Sequence, residues 1–394
     1  MGISTRPVPQ FAGRMKEIAP FHVMELMQRA HRLELAGRSI IHMEVGEPDF
    51  ATPEPMIEAA KRFLAAGHVH YTPALGVLKL REAIAQFYTA RYGVGVAPER
   101  VIVTAGASAA LLLALAVLVD PGDEVLLTDP GYPCNRHFVR LLEGRPRGMP
   151  VAADTDYQPT VGQVADAWRE KTRALLVASP ANPTGTMLSD ETLSGLVSCV
   201  RDRGGILLVD EIYHGLTYGT DAKTVLELSE DAFVINSFSK YFNMTGWRLG
   251  WLIAPSGYVR EIEKLAQNLY ISPSAPAQHA ALAAFEPGTT ALLEQRRAEF
   301  QARRDFLLPA LRRLGLRVGA EPQGAFYIYA DVSDVTDNSH DFAIRLIDEA
   351  GVAITPGTDF GDNAPERHVR LAYTTSMERL REGVSRIAHF LGRA

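Results

Sequence analysis

The order of apolar segments predicts an α/β fold: a mostly parallel sheet with helices on both faces, beside a smaller α+β unit. Three observations carry this reading. Short apolar runs alternate with helical patterns of ten or more residues through the middle of the chain. The runs are apolar enough to be buried on both faces, as strands of a parallel sheet are. From about residue 288 the texture changes to a long helix followed by an aromatic strand, a helix, a strand and a final helix.

In order, a strand at 101–103 (VIV) leads into a helix over 107–119, and 124–128 (EVLLT) into a helix over 135–142. The run 174–178 (ALLVA) is followed by a helix over 190–203, then by 206–209 (ILLV), 232–236 (AFVIN) and 249–254 (LGWLIA). Helical patterns cover 258–284 and 289–314. A strand at 325–330 (AFYIYA), a helix near 341–350, a strand near 369–372 and a last helix close the chain. The expected division is 1–45 as an N-terminal arm and part of the small domain, 46–287 as the large domain, and 288–394 as the C-terminal small domain. No internal repeat or low-complexity segment interrupts it.

Composition removes several classes of function. The net charge of the 394 residues is -6, with acids and bases mixed along the chain. No basic stripe tracks a phosphate backbone, so no nucleic-acid partner is expected. The most apolar run, 109–119, is too short to span a bilayer and ends in Asp120-Pro121-Gly122, a turn. The first residues lack the apolar core of a signal peptide. Two cysteines, Cys134 and Cys199, without metal-ligand spacing, fit a reducing cytoplasm rather than a disulfide framework or a zinc site. Cys134 is assigned no role.

Ligands of open α/β sheets bind at the carboxyl ends of the strands, so the residues that follow each strand are the candidates. After 101–103 come Thr104-Ala105-Gly106-Ala107-Ser108, where small residues opening a helix offer free N–H groups to an anion. Alone, this reads equally as a serine cap behind a tight turn. After 206–209 come Asp210 and Tyr213; after 174–178 comes the proline-rich loop 179–185. Each of these, taken singly, is ordinary turn or capping chemistry.

The lysines decide between the two readings. There are seven, and Lys61, Lys79 and Lys264 sit on charged helix faces, while Lys16, Lys171 and Lys223 sit in polar or terminal segments. Only Lys240 follows a buried strand, in Asn236-Ser237-Phe238-Ser239-Lys240. Desolvation lowers the pKa of a lysine and makes it a nucleophile, which suits a lysine that bonds covalently to a carbonyl. A ligand with a phosphate, an aldehyde and a pyridine nitrogen needs an anion cradle, an amine and a carboxylate. Ala107 and Ser108, Lys240 and Asp210 supply these from strand ends of one sheet, and Arg248 adds a second positive group.

Taken together the motifs resemble the fold-type I, class I/II pyridoxal-phosphate aminotransferases, in the branch with aspartate, alanine, aromatic and kynurenine aminotransferases. The resemblance covers nearly the whole chain. It rests on Gly46-Glu47-Pro48-Asp49-Phe50, Tyr71-Thr72-Pro73 with Gly76, and Asp129-Pro130-Gly131-Tyr132-Pro133. Further along it rests on Asn182-Pro183-Thr184-Gly185, Asp210-Glu211-Ile212-Tyr213, Ser237-Phe238-Ser239-Lys240 and Gly246-Trp247-Arg248-Leu249-Gly250.

The resemblance implies a seven-stranded sheet in the large domain, pyridoxal 5'-phosphate as cofactor, and transfer of an amino group from an L-amino acid to a 2-oxo acid by a ping-pong route. It implies that Lys240 carries the cofactor and moves the proton at the substrate Cα, and that Asp210 keeps the pyridine nitrogen protonated. Tyr213 and Asn182 would bond the phenolic oxygen, and Tyr132 would stack on the ring. Gly106, Ala107, Ser108, Ser237, Ser239 and Arg248 would form the phosphate cradle. Arg370, with the Gly46 backbone and Asn182, would take the substrate carboxylate. Tyr71 would reach the site of a neighbouring subunit, making the active unit a homodimer. The Asn182–Pro183 bond would be cis.

Carbon–sulfur β-lyases and cyclopropane-carboxylate synthases of the same fold share these motifs. Regulators with an aminotransferase-like domain place a DNA-binding domain first, and about 45 residues precede the first motif here, fewer than such a domain needs. For the donor, Ser108 stands where some acidic-substrate relatives have a lysine, and the segment 18–26 offers Ile18, Phe21 and Met24. Neutral, apolar or aromatic donors are therefore expected, unless Arg14, Arg38 or an arginine of a partner subunit enters the pocket.

If Lys240 holds the cofactor, borohydride reduction followed by peptide mapping should place the label there. A label on any of the other six lysines would remove the assignment.

Overall fold

The computed structural model describes residues 10–393; positions 1–9 and 394, which include the start of the expected arm 1–45, lie outside the described residues. Twelve strands follow in chain order: β1 Ile41–His42, β2 Val101–Thr104, β3 Glu124–Asp129, β4 Arg145–Pro150, β5 Thr172–Ala178, β6 Ile206–Asp210 and β7 Phe233–Ser237. The remaining five are β8 Gly250–Ile253, β9 Tyr327–Asp331, β10 Val352–Ala353, β11 Thr355–Pro356 and β12 His368–Ala372.

Seven of them form the main sheet in the order β2-β8-β7-β6-β5-β3-β4. Only β8 runs against its neighbours β2 and β7; the other pairs are parallel. The carboxyl ends of β2, β3, β5, β6 and β7 therefore share one edge of the sheet. Every residue of β2, β7 and β8 is buried, which is why these runs are largely apolar. The helix Gly106–Ala116 (GASAALLLALA) has no polar face and lies buried against β7 and β8. Gly250 permits that approach: a Cβ there would stand 2.8 Å from the Gly106 carbonyl carbon and 2.9 Å from the Ala107 nitrogen.

Three differences from the sequence expectation have physical causes. β4 (RPRGMP) lacks an apolar run because it is an edge strand, with Pro146 and Pro150 confined to the position that edges tolerate. The single helix expected over 258–284 is two, Val259–Leu269 and Ala275–Leu282. The break holds Ile271 at φ +65° and Pro273, neither of which continues a helix. The strand expected from residue 325 begins at Tyr327, because Ala325 takes a left-handed φ of +58°.

The smaller sheets join the two ends of the chain. β1 pairs in parallel with β10, and β12 lies between β11 and β9 in an antiparallel sheet, so Arg370 sits on a central strand. Among the described residues no helix is long and apolar enough to cross a membrane.

Behind the Lys240 loop, Phe238, Phe242, Trp251 and Phe285 form an aromatic cluster with centroid separations of 4.9 Å (Phe238–Trp251) to 6.2 Å (Phe242–Trp251). Trp251 is fully buried, and its Nε1 donates to the Tyr88 hydroxyl at 3.3 Å. Trp251→Ala is expected to cost roughly 3–5 kcal/mol. Urea unfolding measures it, and a loss below about 1 kcal/mol would show that the cluster is not a stability element.

Candidate active site

Loops from the shared carboxyl edge close over a cavity of ≈ 280 Å³. Its polar end carries Lys240, Asp210, Tyr213, Asn182, Arg248 and Arg370; Ala107, Ser108, Tyr132, Ser239 and Gly46 also line it. These residues are scattered from 46 to 370 in sequence, and the sheet edge brings them together.

Lys240 lies just past β7, with Nζ donating to the Gly46 carbonyl at 2.5 Å and lying 5.7 Å from the Phe326 ring centroid. Desolvation pulls its pKa down to about 8; Arg370 and Arg248 act in the same direction, while Glu47 and Asp210 oppose it. Asp210 ends β6, buried, with one carboxyl oxygen accepting from the Ile212 N–H at 3.1 Å. Burial raises its pKa to about 7, against the bond from Ile212 and the charge of Lys240. The next residue faces away from the cavity: Glu211 accepts from the Thr224 hydroxyl and the Val225 N–H, and burial pushes it to about 8.

Arg370 is buried, 4% exposed. Its Nη1 donates to Asn182 Oδ1 at 2.9 Å, and its Nη2 to the Glu44 carbonyl at 2.5 Å and to Thr355 Oγ1 at 3.2 Å. Its guanidinium carbon lies 4.4 Å from the Tyr327 ring centroid and 5.0 Å from that of Phe360. Nε has no partner, and every hydrogen-bond acceptor of the group among the described residues is neutral. A buried cation supported only by neutral groups is a receptor for an anion.

A second anion cradle lies at the start of the helix Gly106–Ala116. Arg248, itself at φ +53°, comes so close to Gly106 that a Cβ there would stand 2.6 Å from its Nη2. Ser108 and Ser239 line the cavity beside it, and the helix dipole adds to the attraction.

Three expected site residues do not line the cavity. Gly106 backs Arg248. Ser237 turns its hydroxyl to the Leu249 carbonyl (3.0 Å) and to Ser239 Oγ (2.9 Å), so it orients Ser239. Tyr71 is 85% exposed on the surface. The Asn182–Pro183 bond is cis, as are Asp129–Pro130 and Ser179–Pro180.

Among the residues that sequence reasoning missed are two polar ones beside the expected set. The Tyr327 hydroxyl lies 2.9 Å from that of Tyr213 and beside Gly46, where any Cβ would overlap it. Glu44 lines the cavity with its carboxylate bonded to His42 Nδ1 at 2.7 Å, which lifts the histidine to about 9. Neither has a local signal: one is an aromatic in an aromatic strand, the other an acid beside the glycine motif. The lining also has an apolar part, formed by Phe21, Val23, Met24 and Met27 with Leu111 and Ile212. Phe21 and Met24 were expected there; Ile18 does not line it. Arg14 pairs instead with Glu143 at 3.1 Å on the surface, and Arg38 also lies outside the wall.

The chain is similar to known proteins over nearly its whole length. The family described as aminotransferase class I and II matches residues 38–387. A valine–pyruvate aminotransferase from Mycobacterium tuberculosis is 38% identical over 376 residues, 95% of this chain and 97% of the relative. An aspartate aminotransferase from Thermotoga maritima is 37% identical over 383 residues, 96% of this chain and 98% of the relative. The crystal structure of an aminotransferase from Mycobacterium tuberculosis superposes with a TM-score of 0.95 at 37% identity, covering 98% of this chain and 100% of that one.

The poise of Asp210 has a thermodynamic signature. Its folded pKa is raised from 3.8 to about 7, so the folded state holds more protons than the unfolded one between those values. Its contribution to stability is full below the lower value and is lost as pH rises through the upper. In the ligand-free protein this group should add a slope of up to about 1.4 kcal/mol per pH unit across that window. Asp210→Asn should remove that share in urea unfolding at stepped pH; an unchanged slope would assign it to another group.

Proposed function

The chain belongs to the class I and II aminotransferases and is a pyridoxal-phosphate-dependent transaminase; on that premise we propose that it takes its amino group from neutral donors, apolar or aromatic L-amino acids, rather than from aspartate. The observation that carries this is the count of cations in the cavity wall. Lys240, Arg248 and Arg370 are the lysines and arginines that line it among the described residues. Each has a use at the polar end, so none remains for the distal carboxylate of a dicarboxylic donor. The apolar part of the wall includes Phe21, Val23, Met24 and Met27. Placing a carboxylate against it unpaired costs several kcal/mol, whereas an apolar side chain gains on burial.

The residues at the polar end fit the cofactor. The cradle of Ala107, Ser108, Ser239 and Arg248 suits a phosphate, Lys240 an aldehyde, and the buried carboxyl of Asp210 a ring nitrogen that carries a proton. Pyridoxal phosphate, when bound, supplies the carbonyl that receives the amino group and a ring that takes up the electron pair left at Cα. The chain's own groups do the rest. Lys240, pulled towards neutrality, would take the proton from the substrate Cα and deliver it to the cofactor's carbonyl-derived carbon, on the far side of the amino nitrogen. Asp210 would hold the ring-nitrogen proton in a dry site, where the charge pair is strong. Tyr213 and Asn182 would bond the phenolic oxygen, and Tyr132 would cover the ring face. Arg370, gripped by Asn182, Glu44, Thr355 and Tyr327, orients the substrate carboxylate, helped by the Gly46 backbone.

The active unit in this reading is a homodimer. Tyr71, exposed and away from its own cavity, is free to reach a partner's phosphate cradle. A cytoplasmic setting is supported by two unpaired cysteines.

Stopped-flow absorbance of the cofactor with donor alone isolates the first half-reaction. Alanine, leucine, phenylalanine and kynurenine are expected to include a donor at least about tenfold better than aspartate in second-order rate, or about 1.4 kcal/mol. Aspartate faster than every neutral donor would overturn the reading.

A further inference from the structure

One group of metal-ligating side chains stands outside the cavity chemistry. His22 and Glu25 occupy the first turn of the helix His22–Leu35, three residues apart and so on one face. His340 lies in the first turn of the helix Ser339–Arg345. One ligand atom from each lies within 4.8 Å of the others, and the two imidazole rings meet edge to face with centroids 6.2 Å apart. We propose that His22, Glu25 and His340 form a site for a divalent transition-metal ion, zinc above all, which ties the helix covering the cavity to the helix Ser339–Arg345.

The donor set selects the metal. Two imidazoles and a carboxylate complete three corners of a tetrahedral zinc site and leave the fourth to water. Calcium and magnesium, which need six or more oxygen ligands, are poorly served. Bonds of about 2.0–2.1 Å put tetrahedral ligands about 3.3 Å apart, so closure needs a rotation of about an ångström in side chains that are partly or fully exposed.

The surroundings bear on the charge. The first turns of two helices disfavour a cation. Three carboxylates offset this: Glu25 itself, Asp341, and Asp359, which accepts the His22 and Val23 N–H groups at 2.7 and 2.8 Å. Asp341 lies 3.8 Å from His340 Nδ1, beyond hydrogen-bond distance, and so contributes charge rather than a bond.

The consequence falls on the donor pocket. Val23, Met24 and Met27 belong to the same helix, and Phe21 immediately precedes it. A metal that fixes the first turn stiffens the apolar wall without touching the groups at the polar end.

The test is equilibrium dialysis of the holoenzyme, stripped with EDTA, against zinc chloride at pH 7.5, with hydrogen exchange read over residues 22–27. Wild type should bind one zinc per chain at micromolar free metal and gain protection in that segment. His340→Ala and Glu25→Gln should each weaken binding about tenfold or more and lose the zinc-dependent protection. Cofactor absorbance and circular dichroism report whether the variants fold. Equal zinc affinity in wild type and His340→Ala, no binding up to about 1 mM zinc, or protection that persists in the variant would each overturn the proposal.

Discussion

Arg370 carries its charge into the protein with every partner neutral. A carbonyl, a hydroxyl, an amide oxygen and two ring faces hold it, and one N–H is left over. Desolvating a cation costs several kcal/mol, and such a group is tolerated only where the surroundings are rigid. That rigidity is assembled from distant parts of the chain. Glu44 comes from the segment after β1, Asn182 from the loop after β5, Thr355 from β11 and Tyr327 from β9. The two small sheets, the junction of the chain's ends and the loop after β5 all meet on one guanidinium.

A matching tension holds the other side of the cavity. Lys240 and Asp210 lie at the ends of adjacent strands, and burial drives each towards its neutral form, to about 8 and about 7. Their mutual attraction works against burial but does not cancel it. A ligand with a protonated ring nitrogen and an electrophilic carbon relieves both strains at once, which is the physical content of a preorganised site. Glu211, one residue on, is buried just as deeply but faces Thr224 and Val225. Alternation along an extended segment thus separates a reactive carboxyl from a structural one.

The two halves of the cavity have separate origins. The polar half descends from strand ends of the main sheet and from the small sheet, whose positions are set by backbone pairing. The apolar half comes chiefly from Phe21 and the helix after it, which packs against the small sheets. The polar and the apolar lining are therefore carried largely by different elements.

Much of this was legible in the residues. The main sheet was readable because its inner strands are covered on both faces and so are largely apolar; Lys240 was readable because lysine after a buried strand is physically expensive. Asp210, Tyr213 and the loop with Asn182 were singled out by their position after strands, and Arg370 by motif resemblance alone. What local pattern could not contain was decided by packing. β4 is charged because it is an edge, the helix near residue 270 breaks at a left-handed isoleucine, and Ser237 turns inward to orient Ser239. Tyr327 and Glu44 enter the site through contacts with residues over a hundred positions away, and His340 meets His22 across more than three hundred. Periodicity and motif spacing report on neighbours along the chain. The partners of a buried charge, and the company of an exposed histidine, are chosen by the way distant segments close on one another.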